Sequence, residues 1–213
     1  MKIKAVIFDL DGVIVTTDDC HYRAWKQIAD EENIYFDREI NERLRGVSRL
    51  GSLNILLERA EKEYSDEEKC ILMQKKNEHY IKLIRSLSVG DILPGVMNNL
   101  ARLKDNGIRI AIGSSSKNAP IILKQIGLEN YFNAVSDGNN ISRSKPDPEV
   151  FVVAADMLGI GYEECLVVED ADAGILAGKA AGMKTLAINK AQGGDYTASS
   201  LAEIDLLQLC EQI

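Results

Sequence analysis

The chain has 213 residues, of which 46% are hydrophobic and 27% charged, enough for one good core or for a core with a smaller insert. A formal charge of −8 argues against a nucleic-acid partner, because phosphate backbones are bound by clustered Lys and Arg. No apolar run nears the ~20 residues of a membrane span and no cleavable apolar stretch opens the sequence, so the cytoplasm is the expected location; Cys20, Cys70, Cys165 and Cys210 lie scattered, without the pairing of a zinc knuckle or a redox couple.

The first predicted element is the apolar run Ala5-Val6-Ile7, which leads directly into Phe8-Asp9-Leu10-Asp11-Gly12-Val13. Continuous Val and Ile suit a parallel strand covered on both faces, and the carboxyl end of such a strand is where open α/β sheets place ligands. Period-two alternation predicts Asp9 and Asp11 on one side of the chain, able to share a divalent cation or a transferred group. A turn with a capping acid is the plainer alternative for the same residues. From residue 16 to residue 86 nothing reads as strand. Ala24, Trp25, Ile28 and Ala29 form one helical stripe and Leu53, Leu56, Leu57 and Ala60 another. Tyr80, Ile81, Leu83, Ile84 and Leu87 form a third, after the polar stretch Gln74-Lys75-Lys76-Asn77-Glu78.

Beyond Pro94-Gly95 helices and strands alternate. Val96, Leu100 and Leu103 mark a helix, Ile108-Arg109-Ile110-Ala111-Ile112 a strand, residues 120–126 a helix and Ala134-Val135 a short strand. A helix over 148–158, the strand Leu166-Val167-Val168, a helix over 174–181 and the strand Thr185-Leu186-Ala187-Ile188 follow. Such alternation requires crossover connections and therefore a parallel sheet flanked by helices. The expected fold is a Rossmann-like α/β core of residues 1–15 and 88–213, interrupted by an all-helical domain over 16–87.

Polar groups stand where these strands end. The loop Gly113-Ser114-Ser115-Ser116-Lys117-Asn118 opens a helix, with Asn118 at the N-cap and Pro120 in the first turn. Hydroxyls and backbone N–H groups there suit phosphate, though an ordinary helix cap has the same composition. Lys145 precedes Pro146-Asp147-Pro148 and could offset charge on equatorial phosphoryl oxygens, or simply be solvated. Glu169-Asp170 forms a second acidic pair after a strand. A hard cation such as Mg²⁺ takes oxygen ligands and keeps several waters, so two such pairs can define its site.

Asp9-x-Asp11-Gly12, Ser114, Lys145 and Glu169-Asp170, in that order, resemble the motifs of haloacid dehalogenase superfamily phosphotransferases, and the helical insertion resembles that superfamily's cap domain. The resemblance implies that Asp9 is a nucleophile forming an aspartyl-phosphate, that Asp11 is a general acid/base, and that Ser114 and Lys145 hold the transferring group. It also implies a Mg²⁺ site of Asp9, the Asp11 backbone carbonyl and Asp170, with Glu169 beside them.

Within the superfamily the chain resembles the β-phosphoglucomutase family at Thr17, His21, Trp25, Gly46-Val47-Ser48-Arg49, Lys76-Asn77 and Ser116-Lys117-Asn118. These residues, with Ser115, are implied to bind the sugar and its non-transferring phosphate. Arg49 would grip that phosphate with its planar fork, and His21 would contact the catalytic acid across the domain interface. Without the resemblance, Arg49 also reads as a surface charge and His21 as an ordinary helix histidine. The implied activity interconverts β-D-glucose 1-phosphate and glucose 6-phosphate through β-glucose 1,6-bisphosphate, in a monomer whose partner is a small hexose phosphate. Thr16 stands where many relatives carry aspartate and Ala171 where many carry serine.

Two other activities fit parts of the pattern. A sugar-phosphate phosphatase would share every core residue and use water as final acceptor. A phospho-accepting signalling module would share the acids, the hydroxyl and the lysine but leaves the helical insertion without a purpose. A dinucleotide-binding domain needs Gly-x-Gly-x-x-Gly after the first strand, and residues 8–13 offer none.

Overall fold

A computed structural model describes residues 2–44 and 47–213. In chain order, strand β1 (Ala5–Phe8) is followed by helices α1 (Asp18–Glu31), α2 (Arg38–Glu42), α3 (Arg49–Leu57), α4 (Asp66–Ile84) and α5 (Val96–Asp105). Then come β2 (Arg109–Gly113), α6 (Ala119–Gln125), β3 (Ala134–Ser136), α7 (Glu149–Leu158), β4 (Cys165–Glu169), α8 (Asp172–Ala180), β5 (Lys184–Ile188), β6 (Tyr196–Ala198) and α9 (Leu206–Gln212). The chain divides into two compact units, one of the residues up to Thr16 with Ser88–Ile213, the other of Thr17–Leu87.

Among the described residues the α/β unit carries a six-stranded sheet in the order β3-β2-β1-β4-β5-β6, every pairing parallel. All four residues of β1 are buried, as a central strand covered on both faces requires. Phe8 lies opposite Ile112 on one side and Val168 on the other. The chain runs outward to β2 and β3 on one side of β1 and to β4, β5 and β6 on the other, so the strand order reverses beside β1. That reversal opens a crevice at the carboxyl ends of β2, β1 and β4.

Under the sheet, Ile7, Ala111, Val150, Phe151, Ala154 and Val167 belong to one core cluster. Gly113 lets α7 approach closely, because a Cβ there would stand 2.6 Å from Phe151 Cδ1. Removing the Phe151 ring from this core would cost about 3–5 kcal/mol.

Three short elements were not expected from the sequence. α2 has five residues and β6 three, and β6 is an edge strand with no buried residue, so neither leaves a hydrophobic period to read. The strand is held through Asp195, whose Oδ2 accepts Thr185 N at 2.8 Å and Thr185 Oγ1 at 2.9 Å. α9 docks by a buried amide: Asn99 Nδ2 donates to Leu201 O at 2.8 Å, and Asn99 Oδ1 accepts Leu206 N at 2.9 Å. At the point where the chain leaves and re-enters this unit, Leu93 N donates to Ile14 O at 2.9 Å and Val15 bridges Ile92.

The helical unit packs α1 on α4 and α3 on α4. Its core gathers Trp25, Ile28, Ala29, Phe36, Leu53 and Leu56. The buried face of α4 is Leu72, Lys76, Tyr80 and Ile84, a strict i, i+4 stripe, so the polar stretch at 74–78 interrupts nothing. Ser65 and Glu68 close a capping box at the start of α4, worth about 1 kcal/mol. Among the described residues no helix is long and apolar enough to cross a membrane.

Candidate functional site

The ladder of β1 stops at Phe8, with one further bond from Asp9 N to Val168 O at 3.0 Å. Asp9 is therefore fixed to the central strands, whereas Asp11 lies beyond them, bridging Val15 across the turn of residues 12–14, and is half-buried. β1 ends before both acids, so strand alternation does not set the relation between them; Gly12, φ +87°, turns the chain immediately after Asp11. A Cβ on Gly12 would lie 2.1 Å from Asp170 Oδ2. Glycine is required here both for the left-handed backbone and for the space the Asp170 carboxylate occupies.

Lys145 binds the two buried acids together. Its Nζ lies 2.5 Å from Asp9 Oδ1 and 2.5 Å from Glu169 Oε1, and the Phe151 ring centroid lies 4.8 Å away. Burial alone would lower the Lys145 ammonium, but the Asp9 and Glu169 carboxylates outweigh it and hold it above the ordinary lysine range. Burial pushes Glu169 up to about 6, against the opposing pull of Lys145. Glu169 Oε2 accepts the backbone N–H groups of Asp170 and Ala171, each at 3.0 Å. The carboxylate fills the space left by the absent Cβ of Gly174, which would stand 1.9 Å from Glu169 Cδ.

Oxygens of Asp9, Glu169 and Asp170 lie within 4.8 Å of one another. An all-oxygen set with a carboxylate cradled against a glycine suits a hard divalent cation. Both oxygens of Glu169 are engaged by Lys145 and by backbone, so Glu169 would reach an ion only by sharing one of these bonds. The Asp11 side chain is not part of this cluster.

Ser114 follows the last residue of β2 and is buried. Its N–H donates to Ser136 O at 3.0 Å and its Oγ accepts Ser116 N at 3.2 Å. Ser115 and Ser116 are half-buried and Lys117 is exposed. Asn118 occupies the N-cap of α6 as expected, but its side chain makes no capping bond; its own N–H donates to Ser116 Oγ at 3.2 Å. The loop is braced by the turn after β3: Gly138 N donates to Ser116 O at 3.3 Å and Asn139 Nδ2 to Lys117 O at 3.0 Å.

A second polar group forms within the helical unit. Lys76, 3% exposed, places Nζ 2.9 Å from His21 Nδ1, 4.4 Å from the Tyr80 ring centroid and 5.2 Å from that of Trp25. Thr17 Oγ1 and Tyr80 OH are 2.9 Å apart, and Arg49 Nη2 donates to Asn77 Oδ1 at 2.9 Å. Burial first, then the charges of Lys76 and Arg49, hold His21 well below its usual 6.5. The imidazole is neutral at pH 7. Val47 and Ser48 are exposed, Ser48 capping α3 through its hydroxyl at 3.2 Å from Gly51 N; Gly46 lies outside the described residues.

A model of the haloacid dehalogenase-like hydrolase family matches residues 3–182. The chain belongs to that family. β-Phosphoglucomutase of Bacillus subtilis (strain 168) is 43% identical over 215 residues, 99% of this chain and 95% of that protein. Fructose-1-phosphate phosphatase YqaB of Escherichia coli (strain K12) is 29% identical, over 85% of this chain and 94% of that protein. The crystal structure of β-phosphoglucomutase from Clostridium difficile superposes with a TM-score of 0.88 at 35% identity, covering 99% of this chain and 97% of that one.

In this member of the haloacid dehalogenase-like hydrolase family, Tyr80 joins the polar group although in sequence it is only a position in an apolar stripe; its hydroxyl is the clue, since a buried Tyr O–H needs a partner. Gly174 is silent in sequence, because nothing in the pattern of α8 shows that the Glu169 carboxylate folds back against it. Ala171 sits at the N-cap of α8 without a capping side chain, and its own N–H donates to Glu169 Oε2 at 3.0 Å.

Proposed function

We propose that the protein is a Mg²⁺-dependent phosphomutase that interconverts β-D-glucose 1-phosphate and glucose 6-phosphate through an aspartyl-phosphate on Asp9 and a β-glucose 1,6-bisphosphate intermediate. Phosphorylated Asp9 gives its phosphoryl group to the free sugar hydroxyl while Asp11 takes the hydroxyl proton. The bisphosphate then presents its other phosphate, an Asp9 carboxylate oxygen bonds to that phosphorus, and Asp11 returns the proton to the departing sugar oxygen. Lys145 and Ser114 hold the equatorial oxygens as charge moves across them. Asp9, the Asp11 carbonyl and Asp170 would hold the Mg²⁺, with Glu169 as support, and the ion would supply charge neutralisation that lets one anion approach another. Thr17, His21, Trp25, Arg49, Lys76, Asn77 and the loop of residues 115–118 would bind the sugar and its second phosphate. The enzyme would work as a monomer in the cytoplasm.

The observation that carries this reading is the grouping of Arg49, Asn77, Lys76, His21 and Thr17 in the helical unit, in a chain 43% identical to a β-phosphoglucomutase. A phosphatase must recognise one phosphate, whereas a mutase must recognise two. The test supplies β-glucose 1-phosphate with Mg²⁺ and a trace of the bisphosphate, and follows glucose 6-phosphate beside released phosphate. Glucose 6-phosphate should form on the order of 10² times faster than phosphate is released, and Asp9→Asn should abolish both. Release of one phosphate per sugar consumed would identify a phosphatase instead.

A further inference from the structure

Lys145 does its work from a loop, and loops ordinarily move more than the strands and helices they join. Residues 142–149 close that loop into a ring. Glu149, the first residue of α7, turns its carboxylate back along the chain: Oε1 accepts Ser142 N and Ser142 Oγ, each at 3.0 Å. Oε2 accepts Ser142 Oγ at 2.9 Å, Arg143 N at 2.7 Å and Arg143 Nε at 3.4 Å. Inside the ring Asp147 N donates to Ser144 O at 3.1 Å, Asp147 Oδ1 accepts Glu149 N at 3.0 Å, and Arg143 Nε lies 3.2 Å from Asp147 Oδ2. A further bond runs from Lys145 N to Ser115 Oγ at 3.4 Å. The closing residue is rigidly based, because Val150 and Phe151 next to it are fully buried. The N–H of Ser142 above all, with the Ser142 hydroxyl and the Arg143 donors, pulls Glu149 down to about 2 against the opposing effect of burial, so the carboxylate is ionised throughout the neutral range.

We propose that Glu149 is a positioning residue for phosphoryl transfer: by closing the 142–149 ring it presents the Lys145 ammonium to Asp9 and Glu169. This rests on the phosphotransfer reading above, and it accounts for why a charged side chain on a loop meets two strand-end acids at hydrogen-bond distance.

The test compares wild type with Glu149→Ala and Glu149→Gln, the glutamine keeping one acceptor oxygen. Glu149→Ala should lower kcat on the order of 10- to 100-fold with KM changed less than about 3-fold, and Glu149→Gln should fall between it and wild type. Competitive acetylation read by mass spectrometry gives an answer that does not depend on turnover: Lys145 should be modified roughly tenfold faster in Glu149→Ala, while Lys76 keeps its wild-type rate. Unchanged Lys145 acetylation, or unchanged kcat in a variant whose Lys145 has become reactive, overturns the proposal. Should Glu149→Ala fail to fold, Glu149→Gln must still show both shifts in smaller measure. If the wild-type enzyme proves not to be a mutase, that failure appears in the wild-type assay, and the acetylation comparison still decides the role of Glu149.

Discussion

Among the described residues each unit holds a lysine largely withdrawn from solvent, Lys145 in one and Lys76 in the other, and the two are accommodated in different ways. Lys145 is wedged between the carboxylates of Asp9 and Glu169, so its charge is cancelled by formal charges in a region of low dielectric. Lys76 lies over two aromatic faces with a neutral imidazole at 2.9 Å, so quadrupoles and a lone pair attend it. The first arrangement keeps an excess of negative charge, one ammonium against two carboxylates, and suits a site that also takes a divalent cation. The second stands in the unit that also carries Arg49, and two cationic side chains in one polar group suit holding an anion that does not react.

Replacing each lysine by methionine separates the two most sharply. Lys145→Met leaves two buried carboxylates facing each other, which should cost about 3–5 kcal/mol in metal-free protein and lower turnover on the order of 10²- to 10³-fold. Denaturant unfolding with and without Mg²⁺, beside the coupled assay, measures both; a wild-type rate would remove Lys145 from the transfer step. Lys76→Met puts an apolar chain of similar length against Trp25 and Tyr80, so the unfolding free energy should change by about 1 kcal/mol or less. The same variant should raise KM for the sugar phosphate on the order of 10-fold or more with a smaller change in kcat. A collapse of kcat with KM untouched would mean that the two lysines serve the same step.

The contrast also explains how much could be read from sequence. The α/β unit was legible because its acids follow apolar strands, and an acid at the end of a buried strand asks for a reason. Lys76 was harder: the polar run at 74–78 looks solvated, yet one of its members occupies the i, i+4 face between Leu72 and Tyr80. Its burial is set by rings contributed from α1 and from its own helix, and pattern along one segment cannot report that. Arg49 and Asn77 raised the same difficulty, being 28 residues apart in sequence and joined only by the fold. β6 was missed because a three-residue edge strand has no interior to mark it.

Smaller effects refine the picture of the helical unit. Arg49→Lys loses the planar fork and its bond to Asn77, and should raise KM about 10-fold while leaving thermal stability alone; equal KM values in the two proteins would make Arg49 an ordinary surface charge. His21 gives the least effect and the most specific signature. Its folded pKa is depressed below 6.5, so as pH falls through 6.5 the unfolded chain takes up a proton that the folded protein refuses. Stability from this residue is whole above pH 6.5 and drains away below it, by at most ~1.4 kcal/mol per pH unit. Between pH 7.5 and 5.5 the wild type should lose about 1 kcal/mol more than His21→Gln in urea unfolding. Parallel losses would show that the imidazole protonates freely in the folded state.

The bond from Leu93 N to Ile14 O and the bridge of Val15 to Ile92 fasten the outgoing and returning chain side by side. A segment whose two ends are stapled at one place is a closed excursion, and the strand pairings on either side of it do not depend on what the excursion contains. Modules of different length or affinity can therefore be grafted at this junction without reopening a single rung of the sheet, so that recognition can diversify while the machinery of group transfer stays as it is.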